Sequence, residues 1–366
     1  MSRREALAAL ARRYPEEYRR IYAALKDGRP VDEVTVTEWA EQWLTMRERI
    51  VRPGSLAADK AAVTKWIIPT VGARPLAGLQ RSDIRAVHAS AETAGLAASS
   101  VSRIHAVTMK MLGDAVDEGH DVPERTRRTP SPAVGVSGRQ ALTVDAARAV
   151  LRVAMERPDS SRWVAAILQG MRPAEARGLR WSAVDLDRGT MTIEWQLKPL
   201  PYRYPRRPDS GFRVPRGFES IHLTGSQHLV RPKTASGVRV VPLVPWLRTE
   251  LAAWSAIAPD SPHGLVWTQA DGQPLWDTTD RDRWNAIVEA ADVWVTQADG
   301  TRRRPLLYEA RHTAATLLMQ SGVDETTLTA IVGHSKIAST AAYLHADESR
   351  KLAALTLVAE QLGVAL

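Results

Sequence analysis

The sequence predicts a mainly α protein with a small antiparallel β-sheet in its second half, an α+β class. Three observations carry that expectation. Apolar residues recur at steps of three and four through most of the chain, in segments opened by Ser or Thr and closed by Gly. Strict alternation of apolar and polar residues is confined to short runs after residue 190. A stretch rich in Pro, Gly, Ser and Arg with no apolar period, residues 121–140, parts an all-helical region from a mixed one. With 366 residues and 44% hydrophobic content, the chain can bury two cores. The expected organisation is an N-terminal helical extension (1–33), a helical bundle (34–120), a linker (121–140) and a second domain (141–366).

In chain order, Leu7, Leu10, Tyr14, Tyr18, Ile21 and Leu25 form a basic amphipathic segment that Gly28 and Pro30 end. Val36, Trp39, Trp43, Met46 and Ile50 mark the first bundle helix. Ser55 is placed to cap a second helix stopping before Pro69, Ser82 a third closed by Gly95, and Ser99 a fourth closed by Gly119. Four such helices make a small bundle, and Lys60, Lys65, Arg81, Arg85, Arg103 and Lys110 could meet phosphates or simply be solvated.

Beyond the linker, Thr143 caps a helix over Val144–Met155, and a further helix around Trp163–Leu168 ends at Gly170. Pro173 suits a first helical turn and Glu175 suits its dipole, which puts Arg172 at the lip of a helix start. Met191–Leu197 and Val238–Val244 alternate as strands, with Lys233 in the turn-forming run before the second. A helix carrying Trp246 and Trp254, a short strand at Leu265–Thr268 with a turn at Asp271 and Gly272, and a helix over Asp277–Ala291 follow. The closing third reads as helical, punctuated by Gly322 and Gly333. Lys351–Leu366 is apolar enough to dock on a neighbouring protomer or to pack on its own domain.

Composition narrows the function. Zero cysteines exclude a disulfide framework and thiolate metal sites, and neither a leader nor a long apolar run is evident, so a cytoplasmic protein is expected, without a membrane partner. A formal charge of +8 and a pI near 9.9 favour a polyanionic partner, although a basic proteome would produce the same balance. The interval Lys198–Lys233 holds eight Lys/Arg against two acidic residues, with Tyr202, Tyr204, Phe212 and Phe218 among them. That mixture reads as a flexible nucleic-acid-facing arm, or else as a long surface loop.

The segment Pro305–His345 gathers Arg311, His334 and Tyr343, with Arg311 read as opening a helix and His334 as following a glycine turn. Taken singly, each has an ordinary alternative: a surface ion pair, a helix cap, a core tyrosine. Taken together, GMRPAEARGLRWSAVDLD, RPKTASGVRVVPL, ARHTAATLLMQSGV and VGHSKIASTAAYLH, in this order, resemble the catalytic domain of the tyrosine recombinase (phage integrase) family. The resemblance spans about Ala141–Val358, and the bundle before the linker resembles that family's core-binding domain.

The resemblance implies a site-specific DNA recombinase of a phage or mobile element, with Tyr343 as nucleophile, Arg172 and Arg311 clamping the phosphate, Lys233 as general acid and His334 donating a hydrogen bond to a phosphate oxygen. The chemistry of the residues agrees: a phenol can store a phosphodiester as a covalent ester, and guanidinium forks suit the charge of a pentacoordinate phosphate. It further implies double-stranded attachment sites and a homotetramer on DNA, and it allows for an accessory directionality factor. The transesterification calls for no metal or nucleotide cofactor. One position departs. Where the family commonly places histidine, three residues before the second arginine, this chain has Tyr308, a poor base at neutral pH. His312 matches a non-catalytic family position and is expected off the Arg311 face. Activity at a reduced or differently controlled rate follows, with a catalytically silent DNA-binding relative and a type IB topoisomerase-like enzyme as the alternatives.

Overall fold

Thr35 starts the first described helix, α1 (Val36–Ile50), by a reciprocal cap: its backbone N–H donates to Glu38 Oε2 at 2.8 Å while its hydroxyl accepts from the Glu38 N–H at 3.3 Å. The computed structural model describes residue 15 and residues 33–134, 139–204, 207–234, 237–297, 299–333 and 348–363. Apart from residue 15, the amphipathic segment expected over residues 3–25 lies outside the described residues, as do His334 and Tyr343.

After α1 the chain forms α2 (Pro53–Ala62), a wide π turn (Val63–Ile67), α3 (Ile68–Val71), α4 (Arg81–Thr93), α5 (Ala98–Asp117) and α6 (Glu124–Arg127). Trp39, Trp43, Ile67, Leu76, Leu79, Ile84 and Met111 fill the core between them. Both tryptophans are anchored at their polar edge, Trp39 Nε1 donating to the Met111 carbonyl at 2.8 Å and Trp43 Nε1 to Asp114 Oδ2 at 2.7 Å.

The capping serines expected here are all displaced. Pro53 opens α2, using its preset φ where no N–H is needed, so Ser55 lies inside the first turn. Helical structure also continues through Pro69 instead of stopping before it. Proline lacks an N–H and its ring strikes the carbonyl four residues back; in the π turn ahead of it, the Ile68 N–H bonds Val63 five residues back, loosening the coil where the ring must fit. At α4 the Gln80 N–H donates to Asp83 Oδ2 at 2.9 Å, and α5 starts after Ala97, so neither Ser82 nor Ser99 is the cap. The first part of the Pro- and Arg-rich stretch is packed: Thr126 is fully buried and donates to the Leu79 carbonyl at 2.7 Å.

The second half contains α7 (Val144–Met155), α8 (Ser160–Ile167), α9 (Pro173–Arg177), β1 (Val184–Asp185), β2 (Thr190–Ile193), β3 (Gln196–Pro199), β4 (Ser220–Thr224), β5 (Gln227–Val230) and β6 (Arg239–Pro242). Helix α10 (Pro245–Ile257), α11 (Asp277–Ala290), β7 (Val295–Thr296), β8 (Arg302–Arg303), α12 (Leu307–Gln320), α13 (Glu325–Val332) and α14 (Glu348–Gln361) complete it. Thr143 caps α7 as expected, its hydroxyl accepting from the Ala146 N–H at 3.2 Å. The helices enclose a core that includes Trp163, Trp267, Trp284, Leu247, Leu318 and Leu355.

Among the described residues the strand pairings are antiparallel, in the orders β1-β2-β6, β3-β5-β4 and β7-β8. The expected single strand Met191–Leu197 is therefore two, in different sheets. Trp195 and Leu197 bury themselves with Leu229 and Leu265 in a small cluster apart from the main core, which turns the chain away from the β2 ladder at Glu194. Gly178 permits this arrangement: a Cβ there would lie 2.7 Å from the Leu197 nitrogen, so α9 approaches β3 only because the side chain is missing. Leu265–Thr268 makes isolated bridges, Arg180 with Leu265 and Thr268 with Pro274, instead of a strand, and proline cannot extend such a ladder. The β7-β8 hairpin interrupts the expected helical closing third, its two-residue strands being too short to show alternation.

The interval Lys198–Lys233 is folded, not a flexible arm. Two of its aromatics pack together and on β4 and β5: Phe212 stacks on Tyr202 at 5.2 Å, meets the His222 ring at 5.1 Å and meets the His228 ring edge-on at 4.1 Å. Two compact units emerge, the first comprising Met1–Val136 with Arg213–Phe218 and the second Ser137–Phe212 with Glu219–Leu366. Within the first, Arg213 Nε pairs with Glu48 at 3.0 Å and the Arg52 guanidinium lies over the Phe218 ring. Helix α14 packs on its own unit through Ala354, Leu355, Val358 and Ala359, with Lys351 Nζ donating to the Val240 carbonyl at 3.1 Å. Among the described residues no helix is long and apolar enough to cross a membrane.

Candidate active site

The site begins with a backbone requirement. Gly170 sits at φ +58°, the left-handed region, and a Cβ on it would come within 3.2 Å of Ala314 Cβ. Two residues later Arg172 is the extended N-cap of α9, with Pro173 in the first helical position and Glu175 in the first turn, the placement its sequence implied. The Arg172 N–H donates to Glu175 Oε2 at 3.0 Å and its Nη1 to Oε1 at 2.5 Å. Its Nη2 reaches across to the Gly333 carbonyl at 2.6 Å, so the guanidinium holds the residue immediately before His334.

Arg311 comes to the same place from α12. It lies in the second turn of that helix, not at its opening, because α12 starts at Leu307, where Glu309 Oε2 accepts from the Leu306 N–H at 2.7 Å. Only 2% of Arg311 is exposed. Its Nη1 donates to the Gly170 carbonyl at 2.7 Å, and its Nη2 is buried without a hydrogen-bond partner among the described residues. Burial first, and then the Arg172 and Arg239 guanidiniums, hold Arg311 below the usual guanidinium range.

Glu175 is the counter-charge. Burial alone would push its carboxyl up, but the charge and hydrogen bond of Arg239 and the charge of Arg172 bring it down to about 2. Arg239 Nη2 meets Oε2 at 2.9 Å and Nη1 meets Oε1 at 3.3 Å. Three guanidiniums thus interact around one carboxylate, a local excess of positive charge in which the buried Arg311 Nη2 has no partner among the described residues.

The remaining expected residues are placed differently. Lys233 is exposed in the loop between β5 and β6. Tyr308 is half-buried, with the Arg139 guanidinium 5.5 Å from its ring centroid and His312 edge-on at 5.3 Å. His312 therefore shares the Tyr308 face, one turn on, as the i,i+4 spacing requires. Segment 139–142 is strapped to the same helix: the Gln140 N–H donates to Glu309 Oε1 at 2.9 Å and the Leu142 N–H to Thr313 Oγ1 at 2.9 Å. Among the described residues no cluster of three or more His, Asp or Glu could hold a metal ion.

Sequence reasoning missed Arg239 and saw Glu175 only as a helix-start residue. A signal existed for Arg239, which alternates with Val241 on the inward side of β6, and a charge on a core-facing position requires a partner.

The comparisons with known proteins fit this geometry. Residues 217–350 match the model of the phage integrase family. An integrase of Saccharopolyspora erythraea is 23% identical over 356 residues, covering 86% of this chain and 79% of that protein. The tyrosine recombinase XerC of Methylobacterium sp. (strain 4-46) is 24% identical over 342 residues, covering 87% and 92%. Among solved structures, a single-residue variant of the Tn1549 transposon integrase (residues 82–397) in complex with a circular intermediate DNA shares the fold with a TM-score of 0.68 at 16% identity, over 88% of this chain and 98% of that one. The chain therefore matches the phage integrase family over residues 217–350 and is similar over most of its length to integrases and XerC tyrosine recombinases, enzymes that transesterify DNA strands.

Proposed function

We propose that this protein is a site-specific recombinase that cuts and rejoins duplex DNA through a 3′-phosphotyrosyl intermediate on Tyr343. The observation that carries the reading is the meeting of Arg172 and Arg311, from α9 and α12, around Gly170 and Gly333, with the buried Arg311 Nη2 unpartnered among the described residues. A phosphate oxygen is the ligand such a fork suits.

In the proposed step, the Tyr343 phenolic oxygen bonds to phosphorus and releases its proton to solvent as the bond from phosphorus to the 5′-oxygen breaks. The 5′-oxygen takes a proton from Lys233 and leaves as a hydroxyl, while Arg172 and Arg311 bind the charge that grows on the non-bridging oxygens. Attack by a 5′-hydroxyl of the partner strand reverses these bonds and completes the exchange. His334, directly after the Gly333 carbonyl that Arg172 grips, adds a hydrogen bond to the phosphate. The partners are double-stranded attachment sites and further copies of this chain, assembled as a tetramer on DNA.

A duplex nicked near the crossover point, which loses its 5′-hydroxyl fragment on cleavage, tests the proposal. A covalent protein–DNA adduct mapping to the peptide with Tyr343 is expected; tight binding with no adduct would leave a silent DNA-binding relative. Relaxation of supercoiled plasmid by a monomer with no need of a defined site pair would point to the topoisomerase-like alternative.

Tyr308 supplies a separate prediction. A phenol under a guanidinium is a weak acceptor for the nucleophile's proton, and an imidazole at the same place is a better one. Tyr308→His is expected to speed adduct formation about tenfold near pH 7, a modest part of what general base catalysis can contribute. An unchanged single-turnover rate would show that residue 308 takes no part in proton transfer.

A further inference from the structure

Arg239 is 8% exposed and makes hydrogen bonds to three separate parts of the second unit. Its Nη2 and Nη1 grip the two oxygens of Glu175, the carboxylate that holds Arg172. Its Nε donates to the Ile331 carbonyl at 2.8 Å, at the end of α13 and two residues before the Gly333 carbonyl that Arg172 also holds. Its Nη1 additionally donates to the Gly237 carbonyl at 3.2 Å, where the loop carrying Lys233 returns to β6. A single planar fork therefore ties together the start of α9, the end of α13 and the base of the lysine loop. Lys351 of α14 reaches the same strand at the neighbouring Val240 carbonyl. The hydrogen bonds from the fork to the protein leave Arg239 no role as a free phosphate clamp, in contrast to Arg311, whose Nη2 has no partner among the described residues.

We infer that Arg239 is a positioning residue for strand cleavage: it sets Glu175, and through it Arg172, in register with the segment that leads from α13 to His334. The inference rests on the recombinase reading above. The physical reason is geometric. A carboxylate shared between two guanidiniums has its orientation fixed at both oxygens, whereas one held by Arg172 alone could rotate with it and draw the clamp from the phosphate. Displacement of a reacting group by about 1 Å can cost roughly 100-fold in rate. Lysine substitutes only in part, because an ammonium is a point donor and cannot span Glu175 and the Ile331 carbonyl in one plane.

The test uses the full chain and the nicked duplex, with Arg239→Met, Arg239→Lys, Glu175→Gln and the double variant Arg239→Met/Glu175→Gln. Expected for Arg239→Met is adduct formation slowed about 100-fold with DNA affinity within about threefold of wild type. Arg239→Lys should be slowed about tenfold, since charge without the fork restores only part. The double variant should be no more than about threefold slower than the slower single variant, because residues acting through one another are not additive. A titration readout is independent of turnover. With [δ-13C]glutamate label, the Glu175 carboxylate should stay ionised down to acid unfolding in wild type and titrate within the folded range in Arg239→Met, as the loss of a paired charge raises a buried carboxyl. Multiplicative losses in the double variant, wild-type rates in Arg239→Met, or cleavage lost only in step with DNA binding and melting temperature would each overturn the inference. Absence of any adduct in wild type would instead refute the recombinase reading, and the Glu175 titration would still decide whether Arg239 positions that carboxylate.

Discussion

Arg311→Ala is expected to slow covalent adduct formation by about 100- to 1,000-fold while leaving DNA affinity within a few-fold, the loss seen when a preorganised donor to a developing oxyanion is removed. The structure adds a second, less usual expectation, that the variant will melt within a few degrees of wild type in the absence of DNA. Arg311 is buried beside Arg172 and Arg239, with Glu175 as the opposing charge, and both neighbouring guanidiniums work against its own protonated form. Concentrated like charge out of water is unfavourable until an anion arrives. Removing it relieves repulsion at the same time as it leaves a cavity, and the two effects oppose. Arg311→Lys keeps the charge but loses the fork between the Gly170 carbonyl and the buried Nη2 position, so it should recover little activity. Single-turnover rates on the nicked duplex and thermal melts of the same preparations check both halves. A marked fall in melting temperature with proportionate loss of cleavage would assign Arg311 to the scaffold and not to the phosphate.

How much of this was legible in the sequence depended on the kind of signal. Helices with a full apolar stripe, such as α1 and α7, were readable because burial of one face repeats every turn. Their first residues were less so. Ser55, Ser82 and Ser99 all have the right chemistry for a cap, but Pro53, Gln80 and Ala97 start those helices because the approaching chain, not side-chain preference, sets where the coil begins. The strand break at Glu194 was hidden since Trp195 and Leu197 satisfy the same alternation while belonging to another cluster. At the site, Arg172 was legible from Pro173 and Glu175, which mark a helix start around it. Arg311 and Tyr308 were legible from motif resemblance. Arg139 over Tyr308 and Arg239 between Glu175 and Ile331 depend on contacts between residues far apart in the chain, and no local pattern records those.

Asp280→Ala is expected to destabilise the second unit by about 3–5 kcal/mol, the range for removing one partner of a buried ion pair. Arg162 and Asp280 are each 1% exposed by side chain, joined by Nε to Oδ1 at 3.1 Å and Nη2 to Oδ2 at 2.7 Å. The Arg162 guanidinium also lies over the rings of Trp163 and Trp267, so water cannot reach it to replace the carboxylate. Arg177, on the helix that Arg172 opens, has its Nε 3.8 Å from the same Asp280 oxygen and keeps only the more exposed Asp277 when Asp280 is lost. Two guanidiniums are then left under-compensated in a desolvated core. For a unit of this size the loss corresponds to a fall in melting temperature of roughly 10 °C. The double variant Arg162→Met/Asp280→Leu separates charge from packing: it removes both ions and should recover much of the loss, because apolar groups of similar volume often replace a buried pair without penalty. Equal destabilisation in the single and double variants would show that shape, not the unpaired charge, dominates. Because Arg177 links α9 to α11 through this carboxylate, the fraction of Asp280→Ala that stays folded should also cleave more slowly, which separates it from a variant that only lowers the folded population.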